Sequence, residues 1–181
     1  SVCPRINAAG RVADAQRVVR LLMTDSAEEA SRLAEEVNSL NDKRRGMESE
    51  ILSQVQAAVE ADPSIAAQRI MIVSGEGWNH GVVGLLCSRL LEKYGKPVFA
   101  ISVENGVGRG SARSIDGFPV HKMLAHCGDL LIKYGGHPKA GGFSLEAGNI
   151  EAFRQRAYEY CASFYPKMPV YPVEVDMVAQ P

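Results

Sequence analysis

Arg69-Ile70-Met71-Ile72-Val73-Ser74 is the stretch whose reading decides the fold. Four large apolar residues stand together here, three of them β-branched, with Gly75 just beyond. A run this short and this branched reads as a buried strand rather than a helix. Downstream the pattern alternates. Residues 75–81 read as a loop and 82–94 as a helix closed by Gly95 and Pro97. A second strand over 97–103 meets Asn105-Gly106, a hairpin turn because both residues tolerate positive φ, and returns over 107–114. A helix is predicted over 119–134, a break at Gly135-Gly136, a strand over 142–145, and a last helix capped by Asn149 and running to about Phe164.

Upstream of Pro63 the reading is wholly helical. Leu33, Val37, Leu40, Arg44, Met47, Ile51, Val55 and Val59 recur at steps of three and four, and all but Arg44 are apolar. This predicts one amphipathic helix of ~34 residues, roughly 50 Å long, over 27–61. Ser26 and Glu29 are spaced as a capping box at its start. A shorter helix is expected over 13–23. The fold class is therefore α/β: a long N-terminal connector helix followed by a small mixed-sheet domain. The expected divisions are 1–63 for the helical connector, 64–166 for the sheet domain, and 167–181 for the start of something further, on the strength of Val170, Val173, Val175 and Val178.

The 181 residues are 46% hydrophobic and 23% charged, an ordinary globular composition. No apolar run is long enough to span a bilayer, so no membrane partner is expected. Ser1-Val2-Cys3-Pro4 reads like the interior of a longer chain. Cys3, Cys87, Cys127 and Cys161 are scattered without a CxxC pair, which argues against a zinc site or a disulfide framework and for a reducing, cytoplasmic setting. The net charge of −1 gives no global sign of a nucleic-acid partner. Its distribution says more. Arg109, Arg113, Lys122, Lys133 and Lys139 outnumber Asp116 and Asp129 over 105–145, so an anion site belongs there or near Arg5 and Arg11.

Four stretches carry chemistry. In Gly108-Arg109-Gly110-Ser111-Ala112-Arg113-Ser114, strand alternation puts Arg109, Ser111 and Arg113 on one face, and guanidinium forks match phosphate oxygens. The bland alternative is a charged edge strand that discourages aggregation. In Tyr134-Gly135-Gly136-His137-Pro138-Lys139-Ala140-Gly141-Gly142, four glycines around one His suggest a tight loop whose amides face an anion. There His137 either donates to a phosphate or caps a turn. Gly75-Glu76-Gly77-Trp78-Asn79-His80-Gly81 delivers residues to a helix N-terminus, where Trp78 would either stack a base or pack. Pro4-Arg5-Ile6-Asn7-Ala8-Ala9-Gly10-Arg11 reads as a backbone-hugging loop or as a helix entry. No nucleophile elbow and no dense Asp/His cluster for two metals is present.

Taken together, PRINAAGR at 4–11, GWNHGVVG at 77–84, GRGSARS at 108–114 and GGHPKAGGF at 136–143 resemble the RecJ family of single-stranded-DNA exonucleases, within the DHH/DHHA1 phosphoesterase superfamily. The resemblance implies that the sheet domain is of DHHA1 type and that an absent DHH domain binds the catalytic Mn²⁺ or Mg²⁺, with none expected in this chain. It implies a 5′→3′ exonuclease whose single-stranded DNA is held by Arg109, Ser111, Arg113, Ser114, Gly135, Gly136 and His137, with Arg5, Arg11 and His80 nearby. His137 is the one residue here that would assist catalysis. On this resemblance the tail would open an OB-type domain. The sequence departs from the family in carrying Asn79 where His follows Trp, with His80 one place later, and Gly141 where Ala is usual. The alternatives are the DHHA1 part of an oligoribonuclease or cyclic-dinucleotide phosphodiesterase, or a binding module without catalysis.

Overall fold

In the computed structural model, which describes residues 2–171, three helices precede the sheet: α1 (Cys3–Val12), α2 (Gln16–Met23) and α3 (Ala27–Ala61). The arginine-flanked segment at 4–11 is thus helical and not a loop, with Pro4 in the first turn, where a missing N–H costs nothing. The expected 13–23 helix starts three residues late, because the Asp14 carboxylate takes the Gln16 amide at 2.9 Å and holds a turn. Half of the capping box forms. The Ser26 hydroxyl accepts the Glu29 amide at 3.3 Å, but the Glu29 carboxylate turns to Thr24 Oγ1 (2.7 Å) and Arg20 instead.

The single stripe of α3 serves two cores. Val37 packs with Ala9 and Val18 of α1 and α2, while Ile51 and Val55 join the main core under the sheet. Arg44, the one polar member of the stripe, lies between them and pairs with Glu48 at 2.6 Å. Glu48 is 3% exposed and also pairs with Arg89 of the following domain, so the long helix is clasped to it ionically as well as by apolar contact.

After α4 (Ser64–Ala67) come β1 (Met71–Glu76), α5 (His80–Tyr94), β2 (Val98–Glu104), β3 (Val107–Arg113), α6 (Val120–His126), β4 (Lys133–His137), β5 (Ala140–Glu146) and α7 (Ile150–Phe164). The sheet order is β1-β2-β3-β5-β4, with β1 parallel to β2 and every other pair antiparallel. The mixed α/β architecture is the one expected. Asn105 (φ 49°) and Gly106 (φ 78°) make the predicted β2–β3 turn. Helix α5 covers one face of β2 and β3, ending at Gly95 in the left-handed conformation. Helices α6 and α7 cover the other face, where Phe143 stacks on Phe153 with ring centroids 5.0 Å apart.

Between α6 and β5 the sequence expectation fails. The helix predicted over 119–134 stops at His126, a short 3₁₀ turn follows at Gly128–Leu130, and Lys133 and Tyr134 open a strand. The supposed break at Gly135-Gly136 lies inside β4, and the glycine-rich loop is a hairpin of β4 and β5. Glycine carries no side chain to show an alternating pattern, so pairing with β5 decides the conformation. Asn149 stands at the start of α7 without capping it; its Nδ2 donates to the Leu130 carbonyl at 3.4 Å. Val173, Val175 and Val178 lie outside the described residues, so the OB-type reading of the tail has no structural counterpart here. No helix among the described residues is long and apolar enough to cross a membrane.

Cys87, Cys127 and Cys161 are buried, and Cys3 is exposed. Burial pushes the Cys87 and Cys161 thiols up to about 12 and Cys127 to about 11, so all three stay protonated and unreactive near neutrality. A thiol reagent at pH 8 is therefore expected to titrate one thiol in the folded chain and all 4 cysteines of the sequence once guanidinium unfolds it.

Candidate functional site

Strand register builds the site. Residues paired across neighbouring strands share a face of the sheet. Lys133 pairs with Ser144, which pairs with Arg109, which pairs with Ser102. Two residues along, Gly135, Gly142, Ser111 and Ala100 form the next rung, and His137, Ala140, Arg113 and Val98 the one after. This is the α5 face. Where α5 covers it, the rungs are buried, as at Ala100 and Val98. Where α5 ends, they open into a cleft of ≈ 590 Å³ lined by His80, Arg109, Ser111, Lys133, Gly135, Gly142 and Ser144, with Tyr134 at its margin.

His80 reaches this cleft because of how α5 begins. The Asn79 side chain accepts the Gly81 amide at 2.9 Å and starts the helix, so His80 takes its first position. Trp78 is 7% exposed, donates its indole N–H to Gln54 Oε1 at 2.8 Å, and lies against Gly75. It packs β1 to the long helix and is not available to stack a base. Gly81 is required sterically: a Cβ there would overlap the Arg11 carbonyl at the end of α1. The Arg11 guanidinium in turn donates to the Gly81 carbonyl at 3.2 Å. On this side His80 borders a second hollow of ≈ 600 Å³, lined by Arg11 but also by Glu50, Glu76 and Glu104.

The structure thus gathers His80, Arg109, Ser111 and Gly135 from three separate motifs around one cleft. Other predicted residues lie elsewhere. Arg113 shares the face, but its guanidinium turns back to the Ala112 carbonyl at 2.8 Å, beside α5. The Ser114 hydroxyl is buried and donates to the Phe118 carbonyl at 2.6 Å, so it shapes a turn. Gly136 faces away, against the backbone of Ala140 and Gly141. His137 is exposed at the far end of the hairpin, outside the cleft lining. Arg5 is held on α1 by Asn38 Oδ1 at 2.5 Å, and Arg11 by Gly81, so neither joins the cleft. Lys133 and Ser144 do join it, and motif reading passed over them. Lys133 was hidden by a helical reading that ran to residue 134, and Ser144 by standing just outside the four motifs.

A model of the DHHA1 domain matches residues 62–163. The chain belongs to the DHHA1 domain family. The single-stranded-DNA-specific exonuclease RecJ of Bacillus subtilis is 38% identical over 180 residues, which is 98% of this chain and 23% of that protein. RecJ of Thermus thermophilus is 37% identical over 163 residues, 90% of this chain and 23% of that one. Crystal structures of RecJ from Thermus thermophilus, in complex with Mg²⁺ and with Mn²⁺, superimpose with TM-scores of 0.81 and 0.82 at 31% and 34% identity. They match 99% and 96% of this chain, and 28% and 25% of theirs. The DHHA1 chain therefore spans about a quarter of the length of the RecJ relatives it matches.

The family match begins at residue 62, yet Gly81 ties the DHHA1 domain to α1, well before it. Gly81→Ala is expected to lower unfolding stability by about 2 kcal/mol, read by denaturant titration, because overpacking forces backbones apart. An unchanged midpoint would show that the two segments are not pressed together in solution.

Proposed function

We propose that this chain is the nucleic-acid-holding DHHA1 part of a RecJ-like 5′→3′ single-stranded-DNA exonuclease, a phosphodiester hydrolase. The observation that carries the reading is the open cleft in which His80, Arg109, Ser111 and Gly135 converge from three motifs distant in sequence. Arg109 presents a planar cationic fork, Ser111 a hydroxyl, and the glycine a backbone a phosphodiester can approach closely. Such contacts position a strand without reading its bases. Similarity to RecJ covers the long helix as well as the sheet domain, which favours this reading over an oligoribonuclease or a cyclic-dinucleotide phosphodiesterase.

Hydrolysis is assigned to the rest of such a protein. Two of the related RecJ crystal structures contain Mg²⁺ or Mn²⁺. Among the described residues, no group of three or more His, Cys, Asp or Glu could hold a metal ion, so the donors found there do not fit that role. The reading places the metals in a DHH domain on the N-terminal side of this chain, with residues 1–63 as connector and 64–166 as the strand-holding domain. His137 stands exposed on β4, at the end of the sheet face that carries Arg109.

Fluorescence anisotropy against labelled single-stranded DNA at several salt concentrations tests the holding role. Binding is expected to weaken as salt rises, through counterion release. Arg109→Ala is expected to cost about tenfold in affinity, alike for different base sequences. Binding unaffected by that substitution would remove the cleft as the contact surface. The isolated chain is also expected to leave DNA uncut in the presence of Mn²⁺. Digestion that disappears in His137→Ala would contradict this division of labour.

A further inference from the structure

Within the cleft, Lys133, Ser144 and Arg109 occupy one rung on three adjacent strands, at the same height and on the same face. We infer that Lys133 and Ser144 complete the site: one backbone phosphate sits between the Lys133 ammonium and the Arg109 guanidinium, over the Ser144 hydroxyl, while the adjoining sugar lies on the paired glycines Gly135 and Gly142. The inference rests on the reading of the cleft as a single-stranded-DNA site and deepens it.

Several cations elsewhere on the domain are matched: Lys139 pairs with Asp116, Arg156 with Asp129, Arg154 with Glu151 and Arg89 with Glu48, while Arg113, on the same face, makes no ion pair and donates to the Ala112 carbonyl. Among the described residues, Lys133 and Arg109 make no ion pair and no side-chain hydrogen bond, though both line the cleft. Two strand spacings separate their backbones, about 10 Å, within reach of one another's field at ordinary salt. The long side chains can both close on a group held over β5. A phosphate is the anion such a pair suits, taking a bidentate fork from one side and a point charge from the other.

The glycine rung supplies the second observation. Gly135 and Gly142 face each other, and neither has a positive φ that would call for glycine. A Cβ on Gly135 would meet nothing within 4 Å, and one on Gly142 only the Gly110 carbonyl at 3.9 Å. Glycine weakens a strand, and the protein's own packing gives no reason for it at these two places. By contrast, Gly108, Gly110 and Gly141 are each crowded by core side chains. The room left above Gly135 and Gly142 is part of the cleft, directly beside the cationic rung.

The test is anisotropy of the 181-residue chain with fluorescein-labelled oligothymidylate over a salt series, beside thermal melts of each variant. Lys133→Ala is expected to weaken binding about fivefold and to reduce the logarithmic salt slope by about 0.7. Lys133→Arg is expected to keep both, because charge and reach survive. Gly135→Val is expected to melt no lower than the parent, since a branched residue suits a strand, yet to bind weakly. Lys139→Ala, which removes a cation already paired, is expected to change neither affinity nor slope. If Lys133→Ala and Gly135→Val bind like the parent while Arg109→Ala does not, the inference fails and the cleft reading stands. If Arg109→Ala also binds like the parent, both fail together.

Discussion

Registered pairing of β3, β5 and β4 is the constraint on which the site depends. Ser111 meets Gly142 and Gly142 meets Gly135, so a period of two runs unbroken across three strands. A slip of one residue in any pair would send Arg109 or Lys133 to the face covered by α6 and α7. That slip is opposed from below. Phe143 packs over Gly110 and stacks on Phe153, and Leu145 is fully buried beside Gly108. The apolar face thus sets the register, and the polar face inherits its geometry from it.

How far α5 extends decides which part of that polar face is open. The helix covers β2 and β3, and its small residue Gly84 lets Ser111 and Arg113 lie close beneath it. Beyond its N-terminus the sheet continues for two strands without cover. Asn79 fixes where the helix starts, and His80 therefore stands at the rim between covered and open sheet. The Cys87 thiol, donating to the Ser111 carbonyl at 3.1 Å, pins the same helix to the strand that carries the site.

The long helix shows how one sequence pattern can serve two purposes. Its stripe packs the α1–α2 hairpin at one end and the DHHA1 core at the other, with the buried Glu48 between them. A buried carboxylate flanked by Arg44 and Arg89 is not a cheap way to gain stability, since desolvation offsets much of the attraction. It does fix the helix in one rotation and one height relative to α5. Helix α1 packs on the same long helix, which sets Arg11 against Gly81.

Much of this was legible in the residues. The span of α3 could be read off its apolar spacing, the β2–β3 turn off Asn105-Gly106, and the alternation of Arg109, Ser111 and Arg113 off strand geometry, because each depends on neighbours a few residues away. The four motifs also sufficed for the family. Tertiary structure decided the rest. The strand at 133–137, where the residues read as the end of a helix and a glycine loop, was settled by pairing with β5, since glycines carry no periodic signal of their own. Arg113 and Ser114 turn instead to the nearby carbonyls of Ala112 and Phe118, while Lys133 and Ser144 entered the site through pairing across strands. A local pattern records which face a residue can take; which faces meet, and which stay open to a ligand, depends on contacts between segments far apart in the chain.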